Sequence, residues 1–166
     1  MCGKAGGQMA GRRLEGGTHI RRATRHDLPA LRALMGPSAA SRTERFDRRS
    51  VRRSSEVVSV VEDAQGRVLG AMSLAFVRSF GAGGWQAHLD GVWIAPGCES
   101  LAEGMVDVAR AIAARRHCHV LCARGPLAPS VQAALERRGA LATPGFCLDV
   151  PALADPPAGR GRRRRA

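Results

Sequence analysis

The sequence predicts an α/β fold in which one mixed, mostly antiparallel sheet carries helices on both faces. Three observations lead there. The runs "VVSVVED" and "RVLGAMSLAFV" flank the turn "DAQG", Asp63 to Gly66, which together mark an antiparallel hairpin. The second run is apolar at consecutive positions, as a strand covered on both sides must be. Downstream, "DGVWIAPGCESLAEGM" passes from a strand through Pro96 into a helix, and this strand-loop-helix crossover beside a hairpin makes the sheet mixed.

The elements follow in chain order. "THIRRAT" reads as a short strand and "HDLPALRALM" as a helix, with Leu28, Leu31, Leu34 and Met35 at helical spacing. Asp27 is the expected N-cap, because Pro29 then falls in the first turn, where its missing N–H is harmless. The arginine-rich stretch Pro37 to Ser54 reads as one loose helix, either a solvated surface helix or a flap over a substrate. After the hairpin, Gly81 to Gly84 is a flexible loop and "WQAHLDGVWIA" a strand. Leu101, Met105, Val108, Ala109 and Ile112 then form one stripe of a helix ending near Arg115 and Arg116. "HCHVLCA" is a strand, "PSVQAALERRG" a helix with Pro129 at its start and Gly139 past its end, and "GFCLDV" the last strand. Trp85 and Trp93 are expected as core anchors.

At 166 residues and 45% hydrophobic content the chain suits one globular domain, placed at residues 18–152. It is flanked by an unstructured glycine-rich basic segment, 1–17, and an unstructured arginine-rich tail, 153–166. No run approaches the roughly 20 apolar residues of a membrane span, and the N-terminus lacks a secretory apolar region, so the expectation is a cytoplasmic protein with no membrane partner. Five scattered cysteines without a framework spacing predict reduced thiols.

The net charge of +12 invites a nucleic-acid reading, but its 26 basic residues are 25 arginines and Lys4, which looks like a compositional bias. Five of those arginines sit in "GRGRRRRA", where a solvated tail making weak phosphate contacts suffices. Specific nucleic-acid binding is not expected. A metal is not expected either: strand alternation separates His117 and His119 from Cys118 and Cys122, and no second ligand cluster appears.

The order of elements resembles the GNAT acyl-CoA N-acyltransferase superfamily over about 130 residues. "IRRATRHDLPAL" is similar to that family's opening strand and first helix, "GRVLGAMSL" to its third strand, and "AHLDGVWIAP" to its fourth strand with the closing proline. The resemblance implies that acetyl-CoA is the acyl donor and binds at the strand-helix junction. Val92, Trp93 and Ile94 would line the pantetheine arm, and the turn and first helical residues Ser100, Leu101, Ala102, Glu103 and Gly104 would receive the pyrophosphate. Unsatisfied N–H groups and the positive end of the helix dipole suit such an anion whatever the ancestry. Gly91 is the expected bulge that splays the strand.

The sequence departs from the family in two places. The phosphate loop is degenerate: Glu99 stands where the family has Arg or Gln, Ala102 falls on the first required glycine, and only Gly104 matches. Glu99 and Glu103 in the first turn, with Arg115 and Arg116 at the far end, are equally what an ordinary capped helix shows. Neighbouring Glu99 also opposes a low-pKa role for Cys98. The chain has no tyrosine, and Leu135 falls where many relatives carry a tyrosine acid, which leaves direct thiolate departure or loss of catalysis.

Asp90 and His88, two residues apart in one strand, are the candidate bases for the acceptor amine. The resemblance thus implies an N-acetyltransferase acting on a primary amine of a small molecule or a protein, as monomer or homodimer. The alternative is a GNAT-fold module that no longer catalyses and serves binding or regulation.

Overall fold

The computed structural model describes residues 12–14, 17–36, 55–79, 84–123, 125–143 and 145–150. The N-terminal segment before Arg12, the Pro37 to Ser54 stretch, most of the Gly81 to Gly84 loop and the arginine-rich tail lie outside them.

Among the described residues eight strands form one sheet: β1 (Arg12–Arg13), β2 (His19–Arg22), β3 (Glu56–Glu62), β4 (Val68–Ser79), β5 (Gly84–Ile94), β6 (Cys118–Ala123), β7 (Leu141–Thr143) and β8 (Gly145–Asp149). Their spatial order is β1-β2-β3-β4-β5-β6-β8-β7, and β5 with β6 is the parallel pair in an otherwise antiparallel sheet. The helices are α1 (Leu28–Met35), α2 (Leu101–Arg115) and α3 (Pro129–Arg137). The parallel pair needs a crossover, and α2 provides it.

The β3–β4 hairpin forms as its turn residues dictate. Asp63 Oδ1 accepts from the Gln65 and Arg67 N–H groups, and Gly66 takes the positive φ of 78° that the turn needs. Alternation then sorts side chains to two faces. Val57, Val61, Met72, Leu74, Ala87 and Leu89 enter the larger core under α2 and α3, while Val58, Val60 and Ala71 pack with Leu31 of α1 on the other face. Burial of Met105, Val106, Val108 and Ile112, at about 2 kcal/mol each, is what holds α2 to the sheet.

Three expectations are corrected here. Asp27 stands at the N-cap position of α1 with Pro29 in the first turn, as expected, but its side chain makes no cap bond: Thr24 caps a short 3-10 turn at Arg25–Asp27, and the Asp27 carboxylate accepts from the Thr24 N–H and from Arg21. Trp85 is no core anchor; it is 44% exposed, because α2 ends at Arg115 and, among the described residues, no helix lies over that row of the sheet. The short strands β1 and β7 were not foreseen, being too brief to show a period.

Candidate functional site

The candidate site begins with a register shift in β5. Ser73 pairs with Gly91 and Leu74 with Leu89, so Asp90 is the extra residue of the bulge, one position before the glycine expected to form it. Gly91 has another reason to be glycine. A Cβ there would lie 2.2 Å from Cη2 of Trp93, whose indole lies over that position as it packs toward Ala23, Leu31 and Val60.

The bulge coincides with the end of the parallel pairing. β5 pairs with β6 from Trp85 to Leu89, opposite Cys118 to Ala123, and β6 stops there. Beyond it, among the described residues, Asp90 to Ile94 pair with a strand on the β4 edge only, so β5 and β6 part in a wedge along which backbone groups of β5 have no ladder partner. Val92 and Ile94 pack against the larger core and Trp93 against the smaller one; all three are half-buried at the wedge.

Ala87 and Leu89 point into the core, so alternation turns His88 to the opposite face, the one that carries α1, and Asp90 follows at the bulge, within reach of the His88 charge. Solvent reaches Asp90, yet the protein crowded about its carboxyl raises its pKa by desolvation, against which the nearby His88 charge acts. A carboxylate of raised basicity beside an open cleft is suited to accepting a proton.

The wedge leads to the N-terminus of α2. Cys98 N–H donates to Ala95 O at 3.0 Å, Leu101 N–H to Cys98 O at 3.0 Å and Ala102 N–H to Glu99 O at 3.1 Å, so these amides serve the turn itself. Glu99 curls back to accept from the Gly97 N–H at 3.1 Å. Among the described residues no partner meets the N–H groups of Glu99 and Ser100, which leaves these two at the helix entry. The Cys98 side chain packs against the core.

Two further contacts had no local sequence signal. Glu103 pairs with Arg137 at 2.7 Å and Arg138 at 3.4 Å, and Arg138 also meets Asp107 at 2.8 Å, a clasp between α2 and the end of α3. Gly104 faces Leu14: a Cβ there would be 3.0 Å from Leu14 Cδ2, so an N-terminal side chain fills the close approach that the glycine allows. Leu135, at the position of the family's tyrosine acid, is only 1% exposed and belongs to the core.

Among the described residues, no group of three or more His, Cys, Asp or Glu side chains is placed to hold a metal ion, and no helix is long and apolar enough to cross a membrane.

The fold as a whole is similar to that of a group of solved structures. A predicted acetyltransferase with acetyl-CoA from Clostridium acetobutylicum matches with a TM-score of 0.61 at 17% identity, over 76% of this chain and 91% of that one. The chain has the GNAT fold. Aminoglycoside 6'-N-acetyltransferase AAC(6')-Ih from Acinetobacter baumannii is another similar GNAT structure, with a TM-score of 0.62 at 13% identity over 87% of this chain and 100% of that one. Ribosomal-protein-alanine N-acetyltransferase from Brucella melitensis biovar Abortus 2308 matches with a TM-score of 0.60 at 16% identity, over 76% and 93%. No family model matches the sequence, and no curated protein matches it.

Proposed function

We propose that the protein is an acetyl-CoA-dependent N-acetyltransferase acting on a primary amine. The observation that carries this reading is the wedge between β5 and β6, which opens past Leu89 and Ala123 and runs to the N-terminus of α2. Exposed backbone groups at Val92, Trp93 and Ile94 suit the amides of a pantetheine arm. The helix entry at Ser100, Leu101, Ala102, Glu103 and Gly104 suits its pyrophosphate, which would meet the open N–H groups of Glu99 and Ser100 first. The similar structures named for acetyl-CoA and for aminoglycoside and protein-alanine acetylation support the donor, and leave the acceptor as a small-molecule or protein amine.

The thioester supplies an activated acyl carbon. Asp90, with His88 beside it, takes the proton of the incoming amine; burial raises its pKa and so its basicity. With Leu135 buried and no tyrosine in the chain, the thiolate leaves without a tyrosine acid.

Specific observations also favour a second reading, a GNAT-fold binding module without catalysis. Leu14 occupies the approach to Gly104, the Leu101 and Ala102 amides turn inward, and the carboxylate of Glu99 lies at the entry. Calorimetric titration with acetyl-CoA and desulfo-CoA separates the two. Binding of both with acetyl transfer to an amine supports the enzyme; no heat with either at low salt supports the module.

A further inference from the structure

The two strands on the far side of the wedge bring two cysteines opposite one another. β6 and β8 run antiparallel with Val120 opposite Asp149, Leu121 opposite Leu148 and Cys122 opposite Cys147. Leu121, Ala123 and Leu148 enter the larger core, so alternation puts Cys122 and Cys147 together on the other face of the sheet. Directly opposed residues of an antiparallel ladder have Cα atoms about 4.5 or 5.5 Å apart, according to which kind of pair they form. Both values lie within the roughly 4.4–6.8 Å that a disulfide spans.

The place of the pair in the sheet favours reaction. Cys122 is a free thiol and immediately precedes Ala123, where β6 ends and parts from β5. It therefore stands one residue from the mouth of the wedge, within range of a small oxidant. Its register partner on the β5 side is His88, so a base and two cysteines occupy one row across β5, β6 and β8. Cys118 differs: it lies in the core, and burial raises its thiol pKa, which disfavours the reactive thiolate. Cys98 packs against the core from the loop before α2, outside any strand pairing.

We propose that Cys122 and Cys147 close into a reversible disulfide when the protein meets a peroxide, which makes the β6–β8 pair a redox-sensitive staple. One thiolate attacks the O–O bond of the peroxide, takes one oxygen as a sulfenic acid and releases the other as water, or as an alcohol from an organic peroxide. The second thiolate attacks the sulfenyl sulfur, the S–S bond forms, and the oxygen leaves as water. The two sulfurs together give up two electrons, the peroxide gains them, and the two thiol protons leave on the released oxygens. Opposed Cβ atoms about 4.5–5.5 Å apart must draw in to about 3.8 Å, so a thiol readily reopens a bond closed in this way. The staple lies beside the candidate base His88, but its formation does not depend on whether the chain catalyses.

The test uses the full chain, first reduced and then treated without denaturant with a small molar excess of hydrogen peroxide. Expected are loss of two of the five thiols, a mass lower by two hydrogens with no oxygen added, and recovery of all five thiols with dithiothreitol. Fragmentation of the linked peptides should assign the bond to Cys122 and Cys147 in the parent itself, so the result does not depend on how variants fold. Cys122→Ala and Cys147→Ala should each abolish the link, and Cys118→Ala should keep it. Five thiols that survive the peroxide overturn the proposal. So does a bond to any other cysteine or between two chains, stable oxygen addition without a bond, or a link that forms only after urea has unfolded the chain.

Discussion

Asp27 is 6% exposed and collects four hydrogen bonds, two from Arg21 at 2.8 Å each and two from the Thr24 N–H and hydroxyl at 2.7 and 3.0 Å. The Arg21 guanidinium, more than any other cause, holds the carboxyl down at a pKa of about 2. A depressed carboxylate stabilises the fold fully above its unfolded value near 4 and loses that contribution as pH falls toward 2. The shift from 3.8 to about 2 corresponds to about 2 kcal/mol. Urea unfolding at pH 7 and pH 2.5 should show an acid-dependent loss that shrinks by roughly this amount in Asp27→Asn, which is itself less stable at pH 7; an identical loss in both proteins would contradict the assignment. Asp90 lies on the opposite side of the titration argument, since desolvation raises it. If it takes the amine proton, kcat falls as acidification protonates the carboxylate, at a higher pH than an ordinary aspartate would need, and Asp90→Asn lowers turnover by about 10² with acetyl-CoA affinity nearly unchanged. Equal turnover in variant and parent would remove Asp90 from the chemistry.

At the scale of elements, the β5 bulge sets the geometry of the wedge, and its stability depends on the space that Gly91 leaves for Trp93. Gly91→Ala places a Cβ 2.2 Å from the indole, a contact that a packed ring cannot relieve without moving. We expect a loss of about 1–3 kcal/mol in denaturant unfolding, with a change in Trp93 emission, whereas Gly66→Asn at the exposed turn should cost less. What could be read from sequence follows the same physics. The hairpin was legible because turn chemistry and strand period agree, and α2 because Leu101, Met105, Val108 and Ile112 repeat over a full 15-residue helix. The exposure of Trp85 was not legible, since it depends on where a helix 30 residues later ends. Nor was the pairing of Glu103 with Arg137 and Arg138, which are brought together only by the packing of α2 on α3. The bulge was expected near its true place because glycine marks close approach, but which residue is extra is decided by cross-strand register with Ser73 and Leu74.

For the whole molecule, the two readings of its function differ in one thermodynamic respect: whether the folded state binds a CoA thioester. A ligand that binds only the folded chain stabilises it by RT ln(1 + [L]/Kd), about 2.7 kcal/mol at one hundred times Kd, which raises Tm by roughly 5–10 °C for a domain of this size. Glu99 is exposed and curled onto the Gly97 N–H at the helix entry, where its charge repels a pyrophosphate. Glu99→Arg removes that repulsion, frees the Gly97 amide and adds a guanidinium able to pair with phosphate oxygens, so CoA should bind about tenfold more tightly, equivalent to about 1.4 kcal/mol. At a fixed CoA concentration the variant should therefore show the larger rise in Tm, and the difference should shrink as salt is added. Gly104→Val should reduce the rise, because its side chain must displace Leu14 at the same helix turn. A Tm unmoved by CoA in both the parent and Glu99→Arg at low salt would leave the helix entry as a capped turn and favour the binding-module reading, because one added cation would then have failed to turn two open amides and a helix dipole into a phosphate site.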